Sequence, residues 1–219
     1  YSRIVAPRST EIIGPSPKVV EYLRRCGVER HINIVPNTVD LSNFMPENVK
    51  PEEIARVRHE LGIQEGDTAL CFVGRLGKEK SIDVMIDYFS RHFKGQSSYK
   101  LFIIGDGPER KALQQQIDRL GVQQQVHLLG RIEHELLPPY YHACDLFCTA
   151  SLSEMNSISM LEAMASGLYV VQRLDVYNKD QIAPGVNGNL FTTSEEMAAL
   201  LREEGEMDAA ARQQRRNGV

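Results

Sequence analysis

The run ALCFVGRLGKEKSIDVMIDYFSRHF, residues 69–93, is followed six residues later by KLFIIGDGPERKALQQQIDRL, residues 100–120. Each run begins with a short continuous apolar segment, turns through glycines and then repeats apolar residues at helical spacing. This reads as strand, loop and helix twice over. Continuous apolar strands, in place of alternating ones, belong to a sheet covered on both faces. Working outward, strands are expected at Ile32–Val35, Ala69–Val73, Lys100–Ile104, Val126–Leu129, Asp145–Thr149 and Tyr169–Val171. Helices are expected between them at Lys18–Cys26, Pro51–Leu61, Ile82–Phe93, Pro108–Leu120, Leu136–Ala143 and Ser157–Ser166. The alternation predicts an α/β domain built on a doubly wound parallel sheet.

Punctuation supports that reading. Pro51 and Pro108 suit first helical turns, and Gly62, Gly121 and Gly167 suit left-handed caps. The Phe44–Lys50 stretch, with Pro46 and Pro51 around a polar segment, reads as a linker, so residues 1–45 are expected to form an interdomain hinge and leading segment. Residues 46–193 are then the sheet domain, and 194–219 a polar C-terminal helix or tail with a frayed end.

With 42% hydrophobic and 25% charged residues, the 219-residue chain has the composition of a soluble globular domain, without the long apolar run of a membrane span. A net charge of -4 gives no footprint for nucleic acid. Cys26, Cys71, Cys144 and Cys148 lack paired metal spacing and read as free thiols of a reducing, cytoplasmic compartment. The chain starts at Tyr1 with no signal-peptide pattern, and an N-terminal portion is expected to be missing.

Ligands of open α/β sheets sit outside the carboxyl ends of the strands. Three loops there draw the eye. After Ala69–Val73, Gly74 allows close backbone approach, while Arg75, Lys78 and Lys80 offer an anion site, a solvated charged turn being the plain alternative. In SEMNSISMLEAMASG, residues 153–167, Glu154 precedes a helix that Asn156 could cap, and Glu162 lies eight residues further on. A helical wheel places Ser159, Glu162 and Ser166 on a narrow polar strip facing away from an apolar arc that includes Ile158. That strip faces either solvent or a pocket, and the helix N-terminus beside it suits a phosphate. Gly105-Asp106-Gly107 starts like a dinucleotide fingerprint, but Arg110 holds its last position, so a sharp turn is the better account. His127, His134 and His142 lack metal spacing, and no Asp-x-Asp pair occurs, so no metal is expected.

Together VPNTVD (35–40), FVGRLGKEK (72–80), IIGDGPER (103–110), HLLGRI (127–132) and SEMNSISMLEAMASG (153–167) resemble the donor-binding domain of retaining glycosyltransferases of the GT-B fold, group 1 type, over roughly residues 30–191. The last segment is similar to that family's E-x7-E motif. The resemblance implies the Rossmann-like C-terminal half of a two-domain enzyme that moves a sugar from a nucleoside diphosphate to an acceptor hydroxyl with retention, without cofactor or metal. It gives Arg75 and Lys80 the diphosphate, Glu154 the transferred sugar and Glu162 the ribose. Gly74, with backbone near Arg131 and Ile132, would meet the nucleoside, while Asn156, Ser157, Ile158 and Ser159 would meet sugar and phosphate. Departures are Asn156 and Ser157 in place of Gly or Phe-Gly, Thr38 and Ser81 in place of Gly, and GLYVVQ in place of GLPVVA; Asp180 falls near a family Glu. Thr38 and Ser81 are shared with bacterial diacylglycerol or teichoic-type glucosyltransferases, implying a lipid or cell-envelope glycan acceptor and a full-length protein peripheral to the membrane. The isolated half is expected to be inactive. A same-fold nucleotide-sugar epimerase, a non-catalytic nucleotide-sugar sensor and a nicotinamide-dependent dehydrogenase are the alternatives.

Overall fold

The computed structural model describes residues 8–35, 39–152, 157–175 and 181–218. Its centre is a six-stranded sheet of β3 (Thr68–Val73), β4 (Tyr99–Ile104), β5 (Val126–Gly130), β6 (Leu146–Thr149), β7 (Tyr169–Arg173) and β8 (Gly188–Phe191). All pairings are parallel, and the order is β5-β4-β3-β6-β7-β8. Strand order reverses between β3 and β6, as in a Rossmann-like doubly wound sheet. Ahead of it β1 (Ile13–Gly14) and β2 (Asn33–Ile34) pair in parallel around α1 (Pro17–Arg25), closing a small core of Ile12, Leu23, Val28 and Ile32.

Every residue of β3 is buried, as its unbroken apolar run requires. Side chains alternate across the sheet. Leu70, Phe72, Leu101, Ile103, Cys148 and Val171 face α3 (Ile82–Phe93), α4 (Arg110–Leu120) and α7 (Ser194–Glu206). Ala69, Cys71, Val73, Phe102, Phe147 and Val170 face α2 (Pro51–Glu60), α5 (Pro138–Ala143) and α6 (Ile158–Ala165). In α3 the buried residues Ile82, Met85, Ile86, Phe89 and Phe93 mark one helical face, each large side chain contributing roughly 1.5–3 kcal/mol on burial.

Several expectations shift. The tail is two helices, α7 and α8 (Ala209–Gly218), and α7 buries Met197, Ala198 and Leu201 in the core. Its first turn is closed by a capping box between Thr193 and Glu196. The stretch read as a linker forms two short 3-10 turns, Ser42–Phe44 and Pro46–Asn48, and buries Phe44 beneath α5. Strands β1 and β8 were not expected, being short and, in β8, carrying Gly188 and Asn189, residues that strands disfavour. Pro108 lies in a turn, and α4 starts two residues later. Gly62, Gly121 and Gly167 do follow helices with positive φ. Cys71, Cys144 and Cys148 are buried free thiols while Cys26 is half-buried, and burial pushes the Cys148 thiol up to about 12.

Candidate functional site

At the carboxyl edge of the sheet the loops after β3, β4 and β5 are laced together by backbone. Gly74 N–H donates to Ile104 O (3.0 Å), Gly105 N–H to Gly130 O (2.8 Å), Leu76 N–H to Asp106 O (2.9 Å) and Glu109 N–H to Leu76 O (3.0 Å). The loops approach so closely that a Cβ on Gly105 would stand 1.9 Å from the Gly74 carbonyl oxygen, and one on Gly107 2.4 Å from that of Leu76. Gly105 also has φ +137, a conformation L side chains rarely adopt. These glycines serve loop packing, which accounts for Gly-x-Gly without a dinucleotide.

Above this floor lies a cavity of about 220 Å3 lined by Val73, Gly74, Arg75, Ile104, Gly105, Asp106, Arg131, Ile132 and Leu137. Four of the residues singled out in the sequence, Gly74, Arg75, Arg131 and Ile132, thus share one hollow. The Arg75 side chain is 68% exposed, with Glu79 Oε1 at 3.5 Å, and Arg131 pairs loosely with Glu133 (3.3 Å). Such exposed pairs hold their charges weakly. Lys80 is half-buried in the 3-10 turn Lys78–Lys80. Ser151 Oγ donates to the Glu79 carbonyl (3.4 Å), so this turn borders the end of β6 across the point where strand order reverses. Ser81 then enters α3 in the left-handed region, φ 49 and ψ 38, and is the one non-glycine residue with positive φ among the described residues.

On the other side of the crevice α6 starts at Ile158 with Ser157 in the capping position, one residue later than expected. Glu154 and Asn156 lie outside the described residues, as do Thr38 and Asp180. Ser157 is buried and its Oγ lies 3.3 Å from Ser159 Oγ. The polar strip does not face solvent, since Glu162 is 3% exposed and Ser166 1%, whereas Ile158, assigned to the apolar arc, is 41% exposed. The polar side of α6 packs against the loop after β5 and against α5. Glu162 Oε1 lies 2.7 Å from His134 Nε2, and Glu162 Oε2 accepts from Tyr141 Oη (2.9 Å). Burial, with the Glu162 charge second, holds the Tyr141 phenol well above its ordinary range, so it remains a donor. Phe44 packs between them, 5.3 Å from the His134 ring and 5.6 Å from that of Tyr141.

The sequence profile described as "Glycosyl transferases group 1" matches residues 53–218. The chain belongs to the group 1 glycosyltransferases. Among relatives in this group, alpha-monoglucosyldiacylglycerol synthase of Streptococcus pneumoniae is 30% identical over 88% of this chain and 44% of its own length. The enzyme of the same name from Acholeplasma laidlawii is 28% identical over 86% of this chain and 48% of its own. The chain therefore spans about half the length of the curated relatives it matches. Among solved structures, Anabaena HepE in complex with UDP and glucose superposes with a TM-score of 0.84, at 23% identity, over 99% of this chain and 60% of that one. WaaG, a glycosyltransferase involved in lipopolysaccharide biosynthesis, gives 0.80 at 20% identity over 95% and 56%. At these identities the structures establish the shared fold, that of GT-B glycosyltransferases.

Sequence reasoning passed over His134, Tyr141 and Phe44, because their role comes from distant segments converging on Glu162. It also passed over Lys18 of α1, which donates to the Leu152 carbonyl (2.7 Å) and to the buried Asp175 carboxylate, tying the leading segment to the loops after β6 and β7. No local pattern marks either set. Among the described residues no helix is long and apolar enough to cross a membrane.

Proposed function

We propose that this chain is the donor-binding half of a glycosyltransferase that moves a hexose from a nucleoside diphosphate sugar to an acceptor hydroxyl with retention of anomeric configuration. The observation that carries the reading is the gathering of Gly74, Arg75, Arg131 and Ile132 around one cavity at the strand ends of a group 1 chain. In this reading the nucleobase stacks into the apolar wall of Val73, Ile104, Ile132 and Leu137, reading backbone groups near Arg131. Arg75 and Lys80 hold the diphosphate. As the sugar–phosphate bond breaks, negative charge builds on the leaving phosphate, and fixed cations together with the N–H groups of Ser157, Ile158 and Ser159 stabilise it. Glu154 and Asn156 orient the transferred sugar, and Glu162 accepts from the ribose diol. No metal takes part in this scheme.

Uridine is the base and glucose the sugar to test first, since HepE was solved with UDP and glucose and two relatives are named for glucosyl transfer to a lipid. An acceptor of lipid or cell-envelope glycan class, supplied by an N-terminal domain outside this chain, and attachment at the cytoplasmic face of the membrane complete the proposal. Calorimetry with UDP, GDP, ADP and NAD is the first test: UDP binding is expected, and a response to NAD alone would overturn the reading. Incubating the full-length protein with UDP-glucose and diacylglycerol, and resolving the product anomer by NMR, separates retaining transfer from epimerisation, which releases a free sugar isomer, and from silent binding.

A further inference from the structure

Glu162 is held from both sides, and the two holders come from different parts of the chain. Tyr141 reaches one carboxylate oxygen from α5, where it is wholly buried. His134 reaches the other from the turn His134–Leu136, only two residues beyond the cavity-lining Ile132. The imidazole is 55% exposed, whereas the Glu162 side chain is 4% exposed. His134 thus stands between solvent and the carboxylate, on the segment that follows the cavity-lining Ile132. A carboxylate offers about four acceptor positions, and two donors on opposite oxygens fix its plane while leaving positions for further hydroxyls. Phe44, buried against both rings, limits the tilt of the imidazole.

We propose that His134 is a positioning residue that aims Glu162 at the 2′,3′-diol of the donor nucleoside and ties that carboxylate to the loop lining the nucleobase cavity. The proposal rests on the ribose role given to Glu162 above. A carboxylate held in one orientation accepts from a vicinal diol without first losing rotamer freedom, so its contribution to selecting ribose is greater than that of a free side chain. Without His134 the carboxylate turns about its χ3 axis, the diol loses part of its acceptor, and recognition of base and ribose becomes independent.

The test is calorimetry on the full-length protein with UDP and 2′-deoxy-UDP, comparing wild type with His134→Ala, His134→Gln and Glu162→Gln. Wild type is expected to prefer UDP by about tenfold or more. Glu162→Gln should lower that preference, His134→Ala should lower it toward the Glu162→Gln level, and His134→Gln, whose amide N–H can stand in for Nε2–H, should restore most of it. A general loss of affinity in His134→Ala with an unchanged UDP to 2′-deoxy-UDP ratio would reduce His134 to a structural part and overturn the proposal. Tighter UDP binding by His134→Ala would also overturn it, by showing that the imidazole competes with the ribose. A Glu162→Gln variant with the wild-type ratio would instead sink the ribose role of Glu162 itself, and the proposal with it.

Discussion

The amino edge of the six-stranded sheet and the rim of the cavity at its carboxyl edge handle charge in opposite ways. At the amino edge, Asp145 accepts from the Ala69 N–H (2.8 Å) and pairs with Arg216 (3.3 Å) and Arg212 (3.7 Å) of α8. Nearby, Glu204 pairs with Arg215 (2.8 Å) and Lys100 pairs with Asp67. The side chains in these pairs are all at most 23% exposed. At the carboxyl edge, Arg75 and Arg131 are 68% and 74% exposed, and their partners Glu79 and Glu133 are also largely in solvent. Charges compensated inside the fold fasten an element; charges left to water are desolvated little by folding and remain available to a ligand.

The largest effect is expected at the amino edge. Asp145→Ala leaves two guanidinium groups and a backbone N–H short of an acceptor, and should cost about 3–5 kcal/mol in urea unfolding. Protein that remains folded should bind UDP as wild type does. The second effect should be its mirror image: Arg75→Ala weakens UDP binding by about 1.5–3 kcal/mol in calorimetry, while the unfolding free energy stays within roughly 0.5 kcal/mol of wild type. Lys78→Ala should lose less UDP affinity, and equal losses at the two positions would favour a plain charged turn. A third, smaller effect concerns backbone. Ser81→Gly releases a left-handed conformation that costs an L residue roughly 1–2 kcal/mol, offset by about 0.4–1 kcal/mol of added unfolded-state entropy. A rise in stability of up to about 1.6 kcal/mol is therefore expected in thermal unfolding.

The smallest effect is a pH slope. Burial, then the Arg216 charge, lowers the His142 pKa from its ordinary 6.5, against a hydrogen bond to the Phe44 carbonyl. Below 6.5 the unfolded chain therefore binds more protons at this site than the folded one, so the stability it contributes is present above that value and lost as pH falls through it. The difference in unfolding free energy between wild type and His142→Gln, measured from pH 7.5 to 5, should shrink toward the acid end. That difference removes the contributions of His127, shifted the same way, and Glu204, whose raised pKa acts with the opposite sign.

Where the sequence was legible, one physical requirement dominated. Strands β3 and β4 had to be buried on both faces, so their composition announced them, and α3 matched its expected span because its apolar face repeats over three turns. The site was legible where backbone dictates residue type, as at Gly105 and Gly107, which read as a sharp turn. It was illegible where partners converge from far apart: nothing around His134 shows that it meets Glu162, 28 positions away. For Glu162 the sequence left solvent and a pocket both open, because a wheel measures the helix and not what packs on it.

The close backbone packing of Gly74 against Gly105 has a bearing on how such a chain diversifies. The floor of the cavity has no side chains to exchange, and a substitution in either loop that widened it would have to be met by a matching change in the other. The wall at Arg131 is under no such constraint: its side chain projects from the same frame, 74% exposed, and can be exchanged singly. Selection or design can thus redirect the nucleotide this hollow admits by repainting that wall, with the foundation left untouched.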